Sequence, residues 1–517
     1  MKERVRAVAQ DIPSGLTIPA VFDIGTLTAD GAGAAEHTDV VVVGFGIAGG
    51  SAALEAARSG ARVILLERAS TYGGTSAMSG GHFYLGGGTP VQSATGQADS
   101  AEAMAAYLRA ANPTAAPEKV DAFSDDSVEH FGWVEALGFE FERSYYPEKA
   151  VIQPGTEGLM YTGNEKVWPF RDLATPAPRG HKVPRPGEMG GTQLVMDLMA
   201  GRLEEAGVEI RYETGATNLI TNETGDVVGV AWRHFDQSGV IGTDAVIIAA
   251  GGFVMNADMV AAHVPQLQEK PFTLGSTYDD GLGLRLGSSV GAELQNMDSA
   301  FITAPVYPPS RLLMGVIVNK QGERFVAEDS YHSRTSGFVM EQTDHAAYLI
   351  VDSEHIEHPA FPLCPFIDGW DTIEEMEVGL GLPTGSLAAT LGRYNENASR
   401  KDDPDFHKYS EWLEPQDVGP WGAYDLTLGK ALYAGFTMGG MRTSVDGEVE
   451  RVDGSAIGGL YAAGACASNI ATDGKGYASG LQLAEGSYFG RRAGRHAASR
   501  KGQNQSVTPS EQPQSQN

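Results

Sequence analysis

The segment TDVVVVGFGIAGGSAALEAARSGARVILLERAS, which begins at Thr38, constrains the fold more than any other part of the sequence. The continuous run of β-branched residues in Asp39–Val43 predicts a buried strand. A glycine turn, a helix rich in alanine and leucine, and a second predicted strand at Arg62–Glu67 follow it. A strand, a helix and a strand in this order form a βαβ unit, so we expect an α/β fold with a parallel sheet.

The turn of this unit carries the glycine spacing of a nucleotide-binding loop. Gly44, Gly46 and Gly49 form G-x-G-x-x-G, in which the first glycine permits a tight turn, the second lets a pyrophosphate approach the backbone, and the third allows close helix–strand packing. Glu67 ends the second strand, where its carboxylate is placed to accept hydrogen bonds from ribose hydroxyls. Together these features predict a dinucleotide site.

Further buried strands occur far along the chain, in DAVIIAAGGF and GGLYAAGACA, so both ends of the chain are predicted to build one nucleotide-binding domain. We expect that domain to comprise residues 38–253 and 429–496. The intervening residues 254–428 are mixed in pattern and rich in aromatic residues and proline, which favours an inserted α+β cap and catalytic domain. Residues 1–37 are predicted to form an N-terminal arm, and the polar residues 497–517 a disordered tail.

Composition excludes several classes of partner. The chain of 517 residues has 66 acidic and 37 basic side chains, a net charge of −29. Nucleic acids and anionic membranes require clustered basic residues, so neither is expected as a partner. No apolar run is long enough to predict a membrane span, and the two cysteines lack the spacing of a metal site. The N-terminus lacks the apolar core of a signal peptide, so we expect a cytoplasmic protein.

The segment RASTYGGTSAMSGGHFYLGGG follows the second strand of the βαβ unit. Its glycine pairs, Gly73–Gly74 and Gly80–Gly81, bracket small hydroxyl residues, which are Thr75, Ser76 and Ser79. Such a segment can line a flat ring at backbone distance, which an NAD enzyme does not need. The alternative is a flexible surface loop, because runs of glycine and serine often serve only as linkers.

These motifs, with YDDGLGLRLGSSVGAEL, NKQGERFVAED and FTMGG, occur in the order found in the fumarate reductase/succinate dehydrogenase flavoprotein superfamily. The chain resembles that superfamily over about residues 38–496. The resemblance implies a Rossmann-like FAD-binding domain of the GR2 type, with an inserted cap domain over the flavin. The histidine that attaches FAD in the covalent members has no counterpart in GGTSAMSGG, so the resemblance implies non-covalent FAD.

Motif matches to this superfamily extend the set of expected FAD contacts. The predicted FAD-binding residues are Gly44, Gly46, Ala48, Gly49, Glu67, Arg68, Gly74, Thr75, Ser76, Ser79, Gly80, Gly81, Ala216, Ala250, Gly251, Asp280, Gly464, Gln482 and Leu483. The last two begin the helix in GKGYASGLQLAEGSYFG and would present backbone N–H groups to the pyrimidine edge of the flavin. The positive end of that helix would stabilise the charge on reduced flavin.

Aromatic residues stand where the dicarboxylate-binding members of the superfamily carry cations. Phe436, Tyr477 and Tyr331 occupy the positions of a substrate-binding histidine and two arginines. A phenol does not neutralise a buried carboxylate, so this pattern argues against fumarate or succinate as the substrate. It favours a large hydrophobic ketone. The predicted substrate pocket consists of Tyr307, Phe301, Phe436 and Gly480.

Within the superfamily the chain resembles the 3-ketosteroid dehydrogenases of steroid catabolism, and GKGYASGLQLAEGSYFGRRAGR most resembles the Δ4-(5α) group. That group desaturates C4–C5 of 5α-3-ketosteroids. The resemblance implies that Tyr477 binds the 3-keto oxygen, that Ser479 and Tyr331 remove the C4 proton, and that the C5 hydride passes to flavin N5. The Δ1 group, a non-steroid enone reductase and a non-catalytic flavin module are the alternatives. The electron acceptor and the oligomeric state stay open.

Overall fold

In the computed structural model of the protein, residues 36–150, 153–187, 189–268, 271–303, 310–359 and 363–502 are described. Their α-helices are α1 (Ile47–Arg58), α2 (Gly74–Met78), α3 (Pro90–Ala94), α4 (Ala101–Ala111), α5 (Pro117–Asp125), α6 (Ser127–Glu135), α7 (Phe170–Leu173), α8 (Gln193–Glu205), α9 (Ala257–His263), α10 (Leu282–Ser289), α11 (His332–Met340), α12 (Ile373–Leu380), α13 (Ser386–Ser399) and α14 (Leu481–Ala498).

The strands of the same residues are β1 (Glu36–Val43), β2 (Val63–Leu66), β3 (His82–Tyr84), β4 (Gly180–Lys182), β5 (Glu209–Arg211), β6 (Thr214–Thr221), β7 (Val227–His234), β8 (Gln237–Ile248), β9 (Phe272–Thr273), β10 (Leu294–Gln295), β11 (Ala300–Thr303), β12 (Val316–Asn319), β13 (Ala347–Val351), β14 (Phe366–Trp370), β15 (Trp421–Asp425), β16 (Ala434–Thr437), β17 (Gly440–Met441), β18 (Glu448–Glu450) and β19 (Ala456–Ala462).

The largest sheet has the strand order β18–β19–β8–β1–β2–β5. Its pairs from β19 to β5 are parallel, whereas β18 is antiparallel at one edge, and the β6–β7 hairpin joins through β8. Val40 and Val42 belong to one buried cluster, and Val41 and Val43 belong to another. Both faces of β1 are therefore covered, which is why its sequence is continuously apolar rather than alternating.

Helices α1 and α14 pack closely against each other beside this sheet. A Cβ atom at Gly490 or Gly494 would collide with the backbone of Ala48 or Ala52, respectively. The absence of side chains at these two positions therefore brings the helices together. This contact fixes the N-terminal end of α14 relative to the glycine loop that begins α1.

Among the described residues four smaller sheets lie outside the parallel one, and two of them have more than two strands. Strands β12, β13, β15 and β14 form an antiparallel sheet, and β11, β16 and β9 form a three-stranded sheet. Strand β16 pairs antiparallel with β11, with Phe301 opposite Phe436. The first of these strands lies in the predicted FAD-binding domain and the second in the predicted cap. The division of the chain at residues 253/254 and 428/429 stays a prediction.

The predicted terminal segments fall largely outside the described residues. Of the predicted arm, Glu36 and His37 are described and already belong to β1. At the other end α14 continues through Ala498, and Ala497 and Ala498 are buried, so the helix extends two residues into the predicted tail. Residues 503–517 are not among those described. Searching the described helices reveals none with the length and apolar character that crossing a membrane requires.

Candidate active site

A cavity of about 780 Å³ begins at the carboxyl ends of the parallel strands and reaches the pair β11–β16. Gly44 and Glu67 line one end, and Phe436 and Tyr477 line the other. Ligands of α/β sheets bind outside the carboxyl ends of the strands, where the loops leave a crevice. The two halves of the cavity carry different chemistry.

The glycine loop forms one end of the cavity. Gly44 has a φ of +99°, and a Cβ there would collide with the carbonyl oxygen of Ala249. A Cβ at Gly49 would in turn collide with the carbonyl of Gly44, so Gly49 serves the packing of α1 and does not line the cavity. Gly46 lies at the wall and begins α1 as its N-cap. The loop thus presents bare backbone and a helix N-terminus, an arrangement that suits a phosphate.

Glu67 lies at the end of the second strand, as its sequence position predicts. Its carboxylate accepts hydrogen bonds from the backbone N–H groups of Phe45 and Ala69, both at 2.7 Å. Burial raises the pKa of Glu67 in spite of these two donors. The side chain lines the cavity, where its oxygens have further lone pairs for a ligand hydroxyl.

The two aspartates of the YDDG motif point in different directions. Asp280 binds the Arg68 guanidinium at 2.8 Å and does not line the cavity, whereas the side chain of Arg68 does. The buried Asp279 lines the cavity and accepts a hydrogen bond from the hydroxyl of Thr75. Sequence reasoning selected the second aspartate and missed the first, because a motif match does not show which of two adjacent side chains faces the cavity.

The hydroxyl-rich segment after the second strand is folded into the cavity wall. Ser76 accepts a hydrogen bond from the Ile47 N–H at 3.1 Å, and the hydroxyls of Ser79 and Thr192 are 2.6 Å apart. These bonds tie the segment to α1 and to the start of α8, so it is not a free surface loop. Gly81 stands behind the wall, where a side chain would collide with Val183.

The N-terminus of α14 forms the junction between the two halves. Gly480, its N-cap, has a φ of +93°, and a Cβ there would lie 2.8 Å from the backbone nitrogen of Tyr84. Gln482 and Leu483 occupy the first turn and line the cavity. The N–H groups of a first helical turn have no partner within the helix, so this end is positive and open to an acceptor.

Most of the predicted site residues come together in this one cavity. Those that line it are Gly44, Gly46, Ala48, Glu67, Arg68, Gly74, Thr75, Ser76, Ser79, Gly80, Ala216, Ala250, Gly251, Gly464, Gln482, Leu483, Phe301, Phe436, Tyr477, Ser479 and Gly480. Gly49, Gly81, Asp280 and Tyr331 do not line it. Tyr307 lies outside the described residues, so its place in the pocket stays a prediction.

Tyr331 does not line the cavity but is hydrogen-bonded to a serine that does. Its hydroxyl forms a hydrogen bond with the hydroxyl of Ser479, which does line the cavity. The Tyr331 N–H donates to the side-chain oxygen of Asn164 at 2.9 Å, and the amide nitrogen of Asn164 donates to the carbonyl of Lys475 at 3.2 Å. The Ser479 N–H donates to the carbonyl of Thr162 at 2.8 Å. Residues 162–164 therefore orient both hydroxyl-bearing residues.

Three aromatic rings form the wall beside this hydroxyl pair. Phe301 and Phe436 stack with centroids 4.7 Å apart, and the Tyr477 ring meets the Phe301 ring edge-on, also at 4.7 Å. Burial raises the pKa of the Tyr477 phenol, and the negative charge of the nearby Glu485 raises it further. Tyr477 is therefore a protonated hydrogen-bond donor at the wall of the cavity.

Sequence reasoning missed His332 in this half of the cavity. Its ring lies 4.0 Å from the ring of Tyr331 and 5.6 Å, perpendicular, from that of Phe301, measured between centroids. Burial lowers the pKa of His332 to about 3, with a smaller contribution from the positive charge of Lys149, so the imidazole is neutral. Its position next to Tyr331 in the sequence was the available signal.

Charge is distributed unevenly along the cavity. Among the described residues that line it, Arg68 is the one arginine, there is no lysine, and Arg68 lies at the end that Glu67 marks. The other end offers Tyr477, Ser479 and aromatic rings. It is built for an uncharged, apolar molecule with an oxygen that accepts hydrogen bonds.

The first half of the cavity fits FAD. Gly44 leaves room that a Cβ would fill, Glu67 offers a carboxylate to a ribose, and the first turn of α14 lines the cavity where the two halves meet. A helix N-terminus at that place suits the electron-rich edge of a reduced flavin. The residues present therefore match the requirements of this cofactor at both of its ends.

Comparisons with known proteins agree with this fit. Residues 39–479 match the family described as FAD binding domain. The structure of 3-ketosteroid-delta4-(5alpha)-dehydrogenase from Rhodococcus jostii RHA1, in complex with 4-androstene-3,17-dione, is similar with a TM-score of 0.86 and 38% identity, over 91% of this chain and 99% of that one.

Two curated relatives are more distant. The 3-oxo-5-alpha-steroid 4-dehydrogenase of Comamonas testosteroni is 28% identical, over 86% of this chain and 95% of its own length. The 3-oxosteroid 1-dehydrogenase of Mycobacterium tuberculosis (strain ATCC 25618 / H37Rv) is 27% identical, over 83% and 92%. The fold is thus the predicted Rossmann-like α/β fold of an FAD-binding flavoprotein, and the chain is an FAD-dependent oxidoreductase that belongs to the FAD binding domain family, in the group that contains 3-ketosteroid-delta4-(5alpha)-dehydrogenase.

Proposed function

We propose that this protein is an FAD-dependent 3-ketosteroid dehydrogenase that introduces the C4–C5 double bond into 5α-3-ketosteroids. The observation that carries the proposal is the bond between the hydroxyls of Tyr331 and Ser479, because Ser479 lines the cavity together with a further hydroxyl-bearing residue, Tyr477, and with aromatic rings. The activity of the relative with 38% identity supports it. FAD is proposed to be held non-covalently and to supply the acceptor for the hydride of the substrate.

Tyr477 is assigned to the 3-keto oxygen. Its ring is fixed by Phe301 and Phe436, and its raised pKa keeps the proton on the phenol. Removal of a proton next to a ketone places negative charge on the ketone oxygen. A preorganised donor at that oxygen stabilises the transition state more than the ground state, and a single donor of this kind is worth about 10²–10³ in rate.

Ser479 and Tyr331 are assigned to the proton on C4. An alcohol and a phenol that share a hydrogen bond can pass a proton along it, so the pair serves as a short relay from the carbon towards solvent. The backbone bonds to Thr162 and Asn164 hold the two residues in register. His332 is neutral beside Tyr331, so it adds no positive charge to the region that receives the proton.

An uncharged ketone suits this half of the cavity better than a dicarboxylate does. A buried carboxylate needs a cation or several N–H donors, and the described residues that line this half include no lysine and no arginine. A flat, apolar ring system would instead lie against the stacked pair Phe301 and Phe436. The lack of cations in this half of the cavity therefore argues against a non-steroid reductase that acts on acidic substrates.

Desaturation at C1–C2 is the second candidate. The relative named 3-oxosteroid 1-dehydrogenase matches over most of the chain, and tyrosines at the ketone would serve either regiochemistry. The pairing of Ser479 with Tyr477, two residues before it, resembles the Δ4-(5α) group, and the 38% identity to 3-ketosteroid-delta4-(5alpha)-dehydrogenase also favours C4 as the site of deprotonation. A cytoplasmic location belongs to the proposal only as a prediction.

Anaerobic mixing of the holoenzyme with two steroids tests the proposal. The flavin band at about 450 nm is followed after addition of 5α-androstane-3,17-dione or 4-androstene-3,17-dione. Bleaching by the first alone is the expected result. Bleaching by the second identifies the Δ1 activity instead, and bleaching by neither steroid would contradict steroid dehydrogenation.

A further inference from the structure

A second cavity, of about 600 Å³, lies beside the first, and the function assigned above does not use it. Leu363 and Leu432 line both cavities, and the Leu432 N–H donates to the Leu363 carbonyl at 2.7 Å. The two cavities therefore share a wall built from two leucines whose backbones are bonded to each other. No group that polar recognition would require stands at this shared wall.

The shared wall lies along the row of residues that starts at the proposed ketone site. Phe436, Ala434 and Leu432 alternate along the chain and all line the first cavity. Alternate residues of a strand lie roughly 7 Å apart on one face, so Ala434 stands about that far beyond Phe436 in β16, and Leu432, two residues before the strand begins, lines the same cavity further along the chain. Thr303 lies opposite Ala434 on the paired strand and continues the same wall.

A steroid that places its 3-keto oxygen at Tyr477 and its rings against Phe436 extends along this row. The far end of its four fused rings, which carries C17, then lies towards Leu432 and the second cavity. A 17-ketone would end there, whereas a C17 side chain would continue past the shared leucines. Phe272 and Phe366 are apolar walls of the second cavity and are exposed.

The second cavity is lined by basic side chains and by no acidic ones among the described residues. The described residues that line it include two basic side chains, Lys430 and His358, and no carboxylate. In a chain with a net charge of −29, an acid-free lining with a lysine is a local exception. Within the described part of the chain Lys430 makes no ion pair with a carboxylate, so its ammonium group is available to an anion.

We propose that the second cavity binds the C17 side chain of the substrate, and that the preferred substrates are 3-ketosteroids whose side chain ends in a carboxylate near Lys430. The proposal rests on the 3-ketosteroid dehydrogenase function and narrows its substrate class. The apolar walls bind the methylene groups of the side chain, and Lys430 attracts its terminal charge.

The test compares 3-oxo-5α-cholan-24-oate with 5α-androstane-3,17-dione as substrates of the holoenzyme. Burial of a side chain of several carbons is expected to make kcat/KM about tenfold higher for the acid. Lys430→Glu should raise KM for the acid about threefold and leave the 17-ketone unaffected, because an exposed ion pair contributes modestly. Lys430→Arg should keep the preference, and Lys320→Glu, which changes net charge equally outside both cavities, should match the parent.

The other possible outcomes distinguish failure of the side-chain proposal from failure of the proposed 3-ketosteroid dehydrogenase function. Equal or better kcat/KM for the 17-ketone would overturn the inference and leave the proposed function intact. The same would follow if Lys430→Glu affected both steroids equally. If neither steroid reduces the flavin, the proposed function itself fails.

Discussion

The hydroxyl of Tyr331 is bonded to the hydroxyl of Ser479, although 148 positions separate the two residues in the chain. Tyr331 is the N-cap of α11, and Ser479 stands immediately before the N-cap of α14. Each residue precedes the first turn of its own helix, so the N-termini of two helices converge where the bonded hydroxyls meet. Positive potential from both helix ends favours any negative charge that forms there.

Removal of either hydroxyl is expected to stop proton transfer. Tyr331→Phe and Ser479→Ala should each lower the rate of flavin reduction about 10²–10⁴-fold, the usual cost of losing a general base. Bound FAD should be retained, because neither side chain belongs to the FAD half of the cavity. Stopped-flow reduction at saturating 5α-androstane-3,17-dione measures the rate, and reduction at the parent rate in both variants would refute the relay.

Loss of the Tyr477 hydroxyl is expected to weaken stabilisation of the ketone oxygen, without affecting the proton relay. Tyr477→Phe keeps the ring contacts with Phe301 and Phe436 but removes the donor to the developing negative charge, so the reduction rate should fall about 10²–10³-fold. The same stopped-flow measurement applies. A parent-like rate would mean that Tyr477 is only a wall of the pocket, even if the other two variants are slow.

Glu67→Gln is expected to weaken FAD binding. The carboxylate accepts N–H donors from Phe45 and Ala69, and an amide at this position must direct its own N–H groups at one of them. Lost hydrogen bonds to a charged group cost about 1.5–3 kcal/mol each. Fluorescence titration of apoprotein with FAD gives the affinity. Glu209→Gln, on the neighbouring strand β5, is the matched control, and unchanged affinity in Glu67→Gln would argue against the ribose assignment.

FAD should be released on denaturation, because the segment GGTSAMSGG offers no histidine for a flavin link. Acid precipitation of the holoenzyme is expected to leave yellow FAD in the supernatant. Colour that stays with the pellet would show a covalent bond. His82, which lines the cavity beyond this segment, would then be the residue to substitute.

Glu485 is expected to make stability fall as pH rises. It is buried on α14 and accepts N–H groups from Ile470 and Ala471 at 2.8 and 3.0 Å. Burial raises its pKa from 4.5 to about 7, opposed by these two donors and by the positive charge of Lys119. The folded chain thus binds more protons than the unfolded chain between about pH 4.5 and 7, so stability decreases across that interval.

Glu485→Gln removes this titration and keeps an oxygen for the two donors. Relative to the parent, the variant should gain stability between pH 5 and 8, by up to about 3 kcal/mol, because a tenfold difference in proton affinity between the folded and unfolded chains corresponds to about 1.4 kcal/mol. Thermal unfolding midpoints at pH 5, 6, 7 and 8 test this, with the exposed Glu396→Gln as control. A difference between variant and parent that is independent of pH would contradict the prediction.

The local parts of the site could be predicted from the sequence. The βαβ unit is encoded in neighbouring residues, as a β-branched run, a glycine spacing and an acid at a strand end. The structure has β1 and β2 at the predicted places, and their bounds differ from the predicted ones by at most three residues. The FAD family was identified on the same motifs and is confirmed by the match over residues 39–479.

Other features depend on how distant segments pack. Asp279 rather than Asp280 faces the cavity because Arg68, more than 200 positions earlier, engages the second aspartate. His332 was overlooked because a buried neutral histidine resembles an ordinary core residue in a sequence. The bond between Tyr331 and Ser479 joins two segments that only the fold brings together, and the assignment of both residues came from resemblance rather than from spacing.

Asn164 couples two segments that carry the proposed catalytic residues. It holds the backbone of Tyr331 on one side and that of Lys475, two residues before Tyr477, on the other. Because one side chain bonds both segments, a shift of either segment is transmitted to the other. The proposed base and the proposed ketone donor are therefore positioned together, as one preorganised unit and not as two independently placed groups.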